Sequence, residues 1–196
     1  MNMRIVNPHT ILKLKTIFKL GYVASRGREA YKLVENNTTK NYAYLTNCLG
    51  HACFNLTNEQ LKNFDESDAS TFGNFIQSIF HANKYIAKDI FKFVKECGLK
   101  VSPSTKLSNV KDNEWKIALY FGWYGNRKDY HFLLQEKDET WSSKWGTTSE
   151  LYFIDTPTKK LSHNGYNYNL YGFYKISNPH TKKIKNKQPV EKEMSR

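Results

Sequence analysis

Trp115-Lys116-Ile117-Ala118-Leu119-Tyr120-Phe121-Gly122-Trp123-Tyr124-Gly125-Asn126-Arg127-Lys128-Asp129-Tyr130-His131-Phe132-Leu133-Leu134-Gln135 decides the fold class. Trp115, Ile117, Leu119 and Phe121 share one face of an extended chain, and Lys116, Ala118 and Tyr120 share the other. Gly125-Asn126 is a turn signal, and a second strand runs from Tyr130 to Gln135. Lys137-Asp138-Glu139 turns the chain into Thr140-Trp141-Ser142-Ser143-Lys144. Leu151–Ile154 and Leu170–Ile176 supply two more strands. Turns this short leave no room for helical crossovers, so the sheet is expected to be antiparallel.

Before Pro103 the period is helical. Phe72, Phe75, Ile76, Ile79 and Phe80 fall at i, i+3, i+4, i+7 and i+8, which gives one apolar face. Ile86, Ile90, Phe93, Val94 and Cys97 repeat that spacing, and Gly98 stands where a helix C-cap is expected. Cys97 is therefore a core residue. In Leu56–Leu61 a Thr or Asn cap precedes Glu59-Gln60, a helix-start signal. These features predict an α+β chain, with N-terminal helices packed on a C-terminal antiparallel sheet. Residues 1–40 read as a basic N-terminal arm, with a partly amphipathic stretch at Ile11–Phe18 and a short helix at Arg28–Val34. Residues 41–178 form the α+β domain. Residues 179–196 are a basic tail, expected to be solvated and disordered unless it contacts phosphates.

The composition sets limits on function. The chain has 196 residues, of which 39% are hydrophobic and 15% aromatic. That is too aromatic for a disordered segment and enough for one core. Cys48, Cys53 and Cys97 are too few, and odd in number, for a disulfide framework. Lysines interrupt the first apolar stretch, so no signal peptide is expected. No run approaches the ~18 apolar residues of a membrane span. The expectation is a cytoplasmic protein with free thiols. The net charge of +12 suits polyanions or acidic protein faces, unless it only reflects a Lys- and Asn-rich composition.

A nucleophilic thiol needs a lowered pKa, a base and a donor for the developing oxyanion. Cys48 follows a polar loop and precedes a possible short helix, whose N-terminal dipole favours thiolate. Asn47 is placed to contribute to an oxyanion hole. His131 alternates with Tyr130 and Phe132, so it faces the other side of its strand. Asp155 ends a later strand and is a candidate to orient the imidazole. Cys53 is the rival nucleophile, although its neighbours Ala52 and Phe54 favour burial. Cys48, His51 and Cys53 make a C-x-x-H-x-C spacing that is not a usual structural zinc pattern. No Walker loop, G-x-G-x-x-G or H-E-x-x-H occurs, and no cofactor or metal is expected.

The stretch Asp129-Tyr130-His131-Phe132-Leu133-Leu134-Gln135-Glu136-Lys137-Asp138-Glu139-Thr140-Trp141-Ser142-Ser143-Lys144-Trp145-Gly146 resembles the His segment of papain-like cysteine peptidase-type proteins of bacteria and phages. That segment reads D-Y-H-F-Y-R, a D-G-type turn, then W-S-H-K-x-G. An Asn-Cys pair stands upstream in those proteins, as Asn47-Cys48 does here. The resemblance implies a papain-like fold, with Cys48 as nucleophile and His131 as base in a hydrolase of peptide, isopeptide or related amide bonds. Ser143 occupies the position of the motif's second histidine, and Gln135 that of its basic residue.

The alternative is a non-catalytic basic protein of phage or mobile-element type. It would engage nucleic acid, or inhibit a host nucleic-acid enzyme in the manner of an anti-CRISPR. Trp123, Arg127, Lys128, Trp141, Lys144 and Trp145 interleave aromatic and basic groups near the sheet turns. Such a pattern suits single-stranded nucleic acid, a peptide groove or an acidic protein surface.

Overall fold

In a computed structural model the described residues are 7–23, 45–66, 68, 83–146 and 151–181. The helical pattern at Phe72–Phe80, the short helix expected at Arg28–Val34 and the tail from Lys182 onward lie outside them. Within the stretch read as a basic arm, helix α1 spans Pro8–Lys19. Pro8 sits in its first turn, and Asn7 Oδ1 caps it by accepting from His9 N at 3.0 Å. Leu14 and Phe18 are fully buried in the main core, so this part of the arm is a packed element.

Three helical pieces follow. A helical turn begins at Cys48 and Leu49 and continues as a π-helix over Gly50–Phe54. Asn55 ends it in the left-handed region, and its N–H reaches back to Gly50 O. Helix α2 covers Asn58–Leu61. Its start is the capping box expected from the sequence: Gln60 N donates to Thr57 Oγ1 and Thr57 N donates to Gln60 Oε1. Helix α3 spans Asn83–Glu96, buries Ile86, Ile90, Phe93 and Val94, and is followed by Gly98 at φ +96°. Among the described residues no helix is long and apolar enough to cross a membrane.

The second half is one antiparallel sheet of β1 (Lys100–Ser104), β2 (Glu114–Tyr124), β3 (Arg127–Gln135), β4 (Trp141–Ser143), β5 (Tyr152–Ile154), β6 (Lys160–His163) and β7 (Tyr166–Ser177). Their order is β1-β7-β2-β3-β4-β5, with β6 also on β7. The expected antiparallel sheet and helix-then-sheet order are present. Two strands were not anticipated. β1 contains Pro103 and lacks alternation, as an edge strand tolerates; β6 is short and mostly polar.

Cross-strand register sorts the side chains. Ile117, Leu119 and Phe121 lie level with Leu134, Phe132 and Tyr130, and these join the helices in the main core. Ala118, Tyr120, Leu133, Trp141 and Tyr168 form a smaller core on the other face. Gly122 permits this second layer, because a Cβ there would stand 2.9 Å from Tyr168 Cγ.

Candidate active site

The Cys48 turn is fixed to the sheet from several sides. Asn47 Oδ1 accepts from Leu49 N at 3.0 Å and Gly50 N at 3.2 Å, so Asn47 is the N-cap of the turn. Its side chain also hydrogen-bonds the phenol of Tyr130. Trp115, fully buried, donates its indole N–H to Ala52 O at 3.1 Å. His51 Nε2 lies 2.9 Å from Ser142 Oγ on β4. An N–H left without these acceptors in the interior would cost about 1–3 kcal/mol, which is why the turn needs both cap and carbonyl.

β4 pairs with β3 only from Leu133 to Gln135. The backbone of Tyr130–Phe132 is therefore not covered by β4, and Cys48 docks against it. Cys48 Sγ lies 3.9 Å from Tyr130 O, the carbonyl of the peptide leading into His131. The Phe132 amide also hydrogen-bonds the sulfur. Burial, and secondarily the Asp129 carboxylate, push this thiol from 9.0 up to about 12, against weaker pulls from the Phe132 amide, Lys144 and the Leu49 amide. Cys48 is 5% exposed, and in this state it is a neutral thiol.

The His131 ring turns to the opposite face of β3. Its Nε2 lies 2.6 Å from Ser143 Oγ. The ring stacks on Trp145, with centroids 3.6 Å apart and planes 8° apart, and Trp145 stacks in turn on His163 at 3.9 Å. Burial first, then His163 and His51, lower the His131 pKa to about 3. His51 falls to about 3 as well, through burial and then Lys144. Both imidazoles are neutral near pH 7. Lys144 is fully buried, donates to Gly146 O at 3.1 Å, and has its pKa lowered to about 8 by burial while Cys48 opposes the shift.

The structure thus sets Cys48 and Asn47 against the backbone on either side of His131, with the thiol bound to that backbone in the main core and the imidazole on the opposite face, bound to Ser143. Asp155 is exposed after β5 and is not a partner of His131. Cys53 is fully buried, and its thiol is pushed well up by burial, then by Cys48 and Cys97. Of the six residues read as a binding patch, Trp141 and Lys144 are buried; Trp123, Lys128 and Trp145 are half-buried, and Arg127 is exposed. Alternation marks which side chains leave a strand, and it could not foresee that β4 turns Trp145 and Lys144 inward. Ser142 was not read as a site residue; His51 was weighed only as a metal ligand with Cys48 and Cys53, and Ser143 only as the residue at the motif's second-histidine position.

Among the described residues no group of three or more His, Cys, Asp or Glu side chains could hold a metal ion. A polar cavity lined by Lys106–Val110, Lys116, Gln135–Lys137 and Glu139 lies toward the other end of the β2–β3 ladder and contains no Cys or His. No protein-family model matches the chain, and no curated protein matches it.

Proposed function

We propose that the chain is a papain-like cysteine hydrolase acting on a peptide, isopeptide or related amide bond. The observation that carries this reading is the seating of Cys48. It starts a capped helical turn, and its sulfur lies 3.9 Å from the carbonyl of the peptide that joins Tyr130 to His131. A thiol on an early helical turn, set against the strand that carries a histidine, supplies the parts this chemistry uses, although at rest the His131 ring lies on the other face of that strand.

In this reading Cys48 Sγ attacks the carbonyl carbon as its proton passes to His131. The tetrahedral oxyanion collapses to a thioester, and His131 returns the proton to the departing amine. Water then attacks the thioester with His131 again as base, releasing the acid and restoring the thiol. Nε2 of His131 is engaged by Ser143, so Nδ1 is the nitrogen that exchanges the proton. Ser143 thereby takes the orienting role expected of Asp155, and Asn47 serves the nucleophile as its cap. The resting pair is neutral on both sides, so proton transfer must accompany attack. It also requires the His131 ring, which rests on the opposite face of β3 from the thiol, to leave the Trp145 indole and swing to the strand edge.

The test uses p-nitrophenyl acetate, an activated ester that needs no recognition. Acetyl should transfer to Cys48, seen by peptide mass spectrometry, and should turn over with release of acetate. His131→Ala should leave the fold intact by circular dichroism and abolish the adduct. An adduct on another residue, or one indifferent to His131, overturns the reading.

A further inference from the structure

The face of the sheet that carries His131 ends in a run of rings. Trp145 lies 5.5 Å from Tyr168, Tyr168 lies 5.9 Å from Tyr166, and Tyr166 lies 5.7 Å from Tyr124. Register places Tyr124 level with Arg127 and Tyr166 level with His163, all on this face. The run rises from the buried His131 to Tyr124, which is 56% exposed at the tip of the β2–β3 hairpin. Tyr124 is held there by the β6–β7 turn: Gly165, at φ +81°, would bring a Cβ within 3.1 Å of its ring. The rings at the lip are therefore preset.

Exposed charge at this end is positive. Arg127 is exposed beside Tyr124, while Lys128, level with Trp123, lies on the other face. From Lys159 to Thr181, which covers β6 and β7, there is no Asp or Glu. Asp129, an acidic group on this face, already accepts from Tyr168 Oη at 2.6 Å and Tyr130 N at 2.8 Å.

We infer that the exposed lip formed by Tyr124, Tyr166 and Arg127 binds single-stranded nucleic acid, with a base stacked on Tyr124 and a phosphate on Arg127. Preset rings beside an arginine, in a chain of net charge +12, match what an unpaired polyanion with planar bases requires. An acidic peptide would use the arginine and leave the rings without purpose. Duplex DNA would keep its bases stacked and out of reach. This surface is separate from the chemistry at Cys48 and stands without it.

The experiment is fluorescence anisotropy of a labelled oligo(dT) strand with the full chain, across a salt series. Tyr124→Ala should weaken binding at least about fivefold, the lower bound for losing one stacked base, while Tyr124→Phe holds it. Arg127→Ala should weaken binding and reduce the salt slope by about 0.7, one phosphate contact. Lys88→Ala and Lys95→Ala, on the exposed face of α3, should change little, and Cys48→Ala should bind as the parent does. Three results overturn the inference: Tyr124→Ala binding unchanged, α3 variants losing as much as Arg127→Ala, or duplex binding as tightly as the single strand.

Discussion

Alkylation of Cys48 by iodoacetamide, followed by peptide mass spectrometry from pH 5 to 9, separates a catalytic pair from a buried thiol. The thiol is pushed from 9.0 to about 12. At any pH below 9 it thus supplies about a thousandfold less thiolate than an ordinary cysteine. If thiolate alone reacts, the rate rises about tenfold per pH unit throughout this range. If His131 takes the proton as sulfur attacks, the rate follows neutral imidazole times neutral thiol. With His131 near 3 and Cys48 near 12, that product is constant from pH 5 to 9. The expected profile is therefore flat for the parent chain, and steep, with unit slope, for His131→Ala. A steep profile in the parent, superimposed on that of the variant, would refute general-base assistance and with it the hydrolase.

The remaining predictions concern stability and the supports of the site. Asn47→Ala removes the acceptor for two amides and should cost about 2 kcal/mol in denaturant unfolding, with Asn47→Ser restoring most of it; a loss below about 0.5 kcal/mol would deny the cap. Gly122→Ala drives a methyl into the Tyr168 ring and should cost about 1–3 kcal/mol, with near-ultraviolet dichroism reporting disturbed aromatic packing; an unchanged spectrum and midpoint would contradict that contact. His51 and His131 have folded pKa values near 3, below the ~6.5 of an unfolded chain. The unfolded state therefore takes up protons first. Stability present above pH 6.5 should fall on acidification toward pH 3, by about 1.4 kcal/mol per pH unit for each histidine. Urea midpoints that stay level from pH 7 to 5 would show that these rings are not buried and neutral.

Much of the fold was legible because its signals are local. Alternation over Trp115–Phe121 and the short run at Tyr130–Gln135 marked β2, β3 and the faces they present. The spacing of Ile86, Ile90, Phe93 and Val94 fixed α3, and Thr57 with Gln60 fixed the start of α2. Burial of α1 was less legible: lysines interrupt its apolar residues, whereas Leu14 and Phe18, four residues apart, decide its packing. β6 escaped because Lys160-Leu161-Ser162-His163 lacks apolar alternation and is held by pairing with β7. At the site, Cys48 and His131 could be named from residue type and order. The hydroxyl partners could not, since Ser143 meets His131, and Ser142 meets His51, through the register of β4 on β3, which is set by contacts far apart in sequence.

The shortness of β4 explains the whole arrangement. Continuing its register beyond Ser143 opposite Leu133 would set Lys144 against Phe132 and Trp145 against His131. That extension would occupy the Tyr130–Phe132 backbone, where Cys48 now docks. Instead the chain leaves the ladder: Lys144 folds onto Gly146 O, Gly146 adopts φ +59°, and the Trp145 indole lies against His131. The last two residues of the strand are serines whose hydroxyls point to opposite faces, one to His51 and one to His131. A larger side chain at either position would fill the space of a hydrogen-bonded imidazole. Pairing therefore stops where a strand edge is needed for a thiol, and small hydroxyls stand where two neutral histidines need a partner. Extending β4 and keeping Cys48 in place are mutually exclusive, so the break in the ladder belongs to the site.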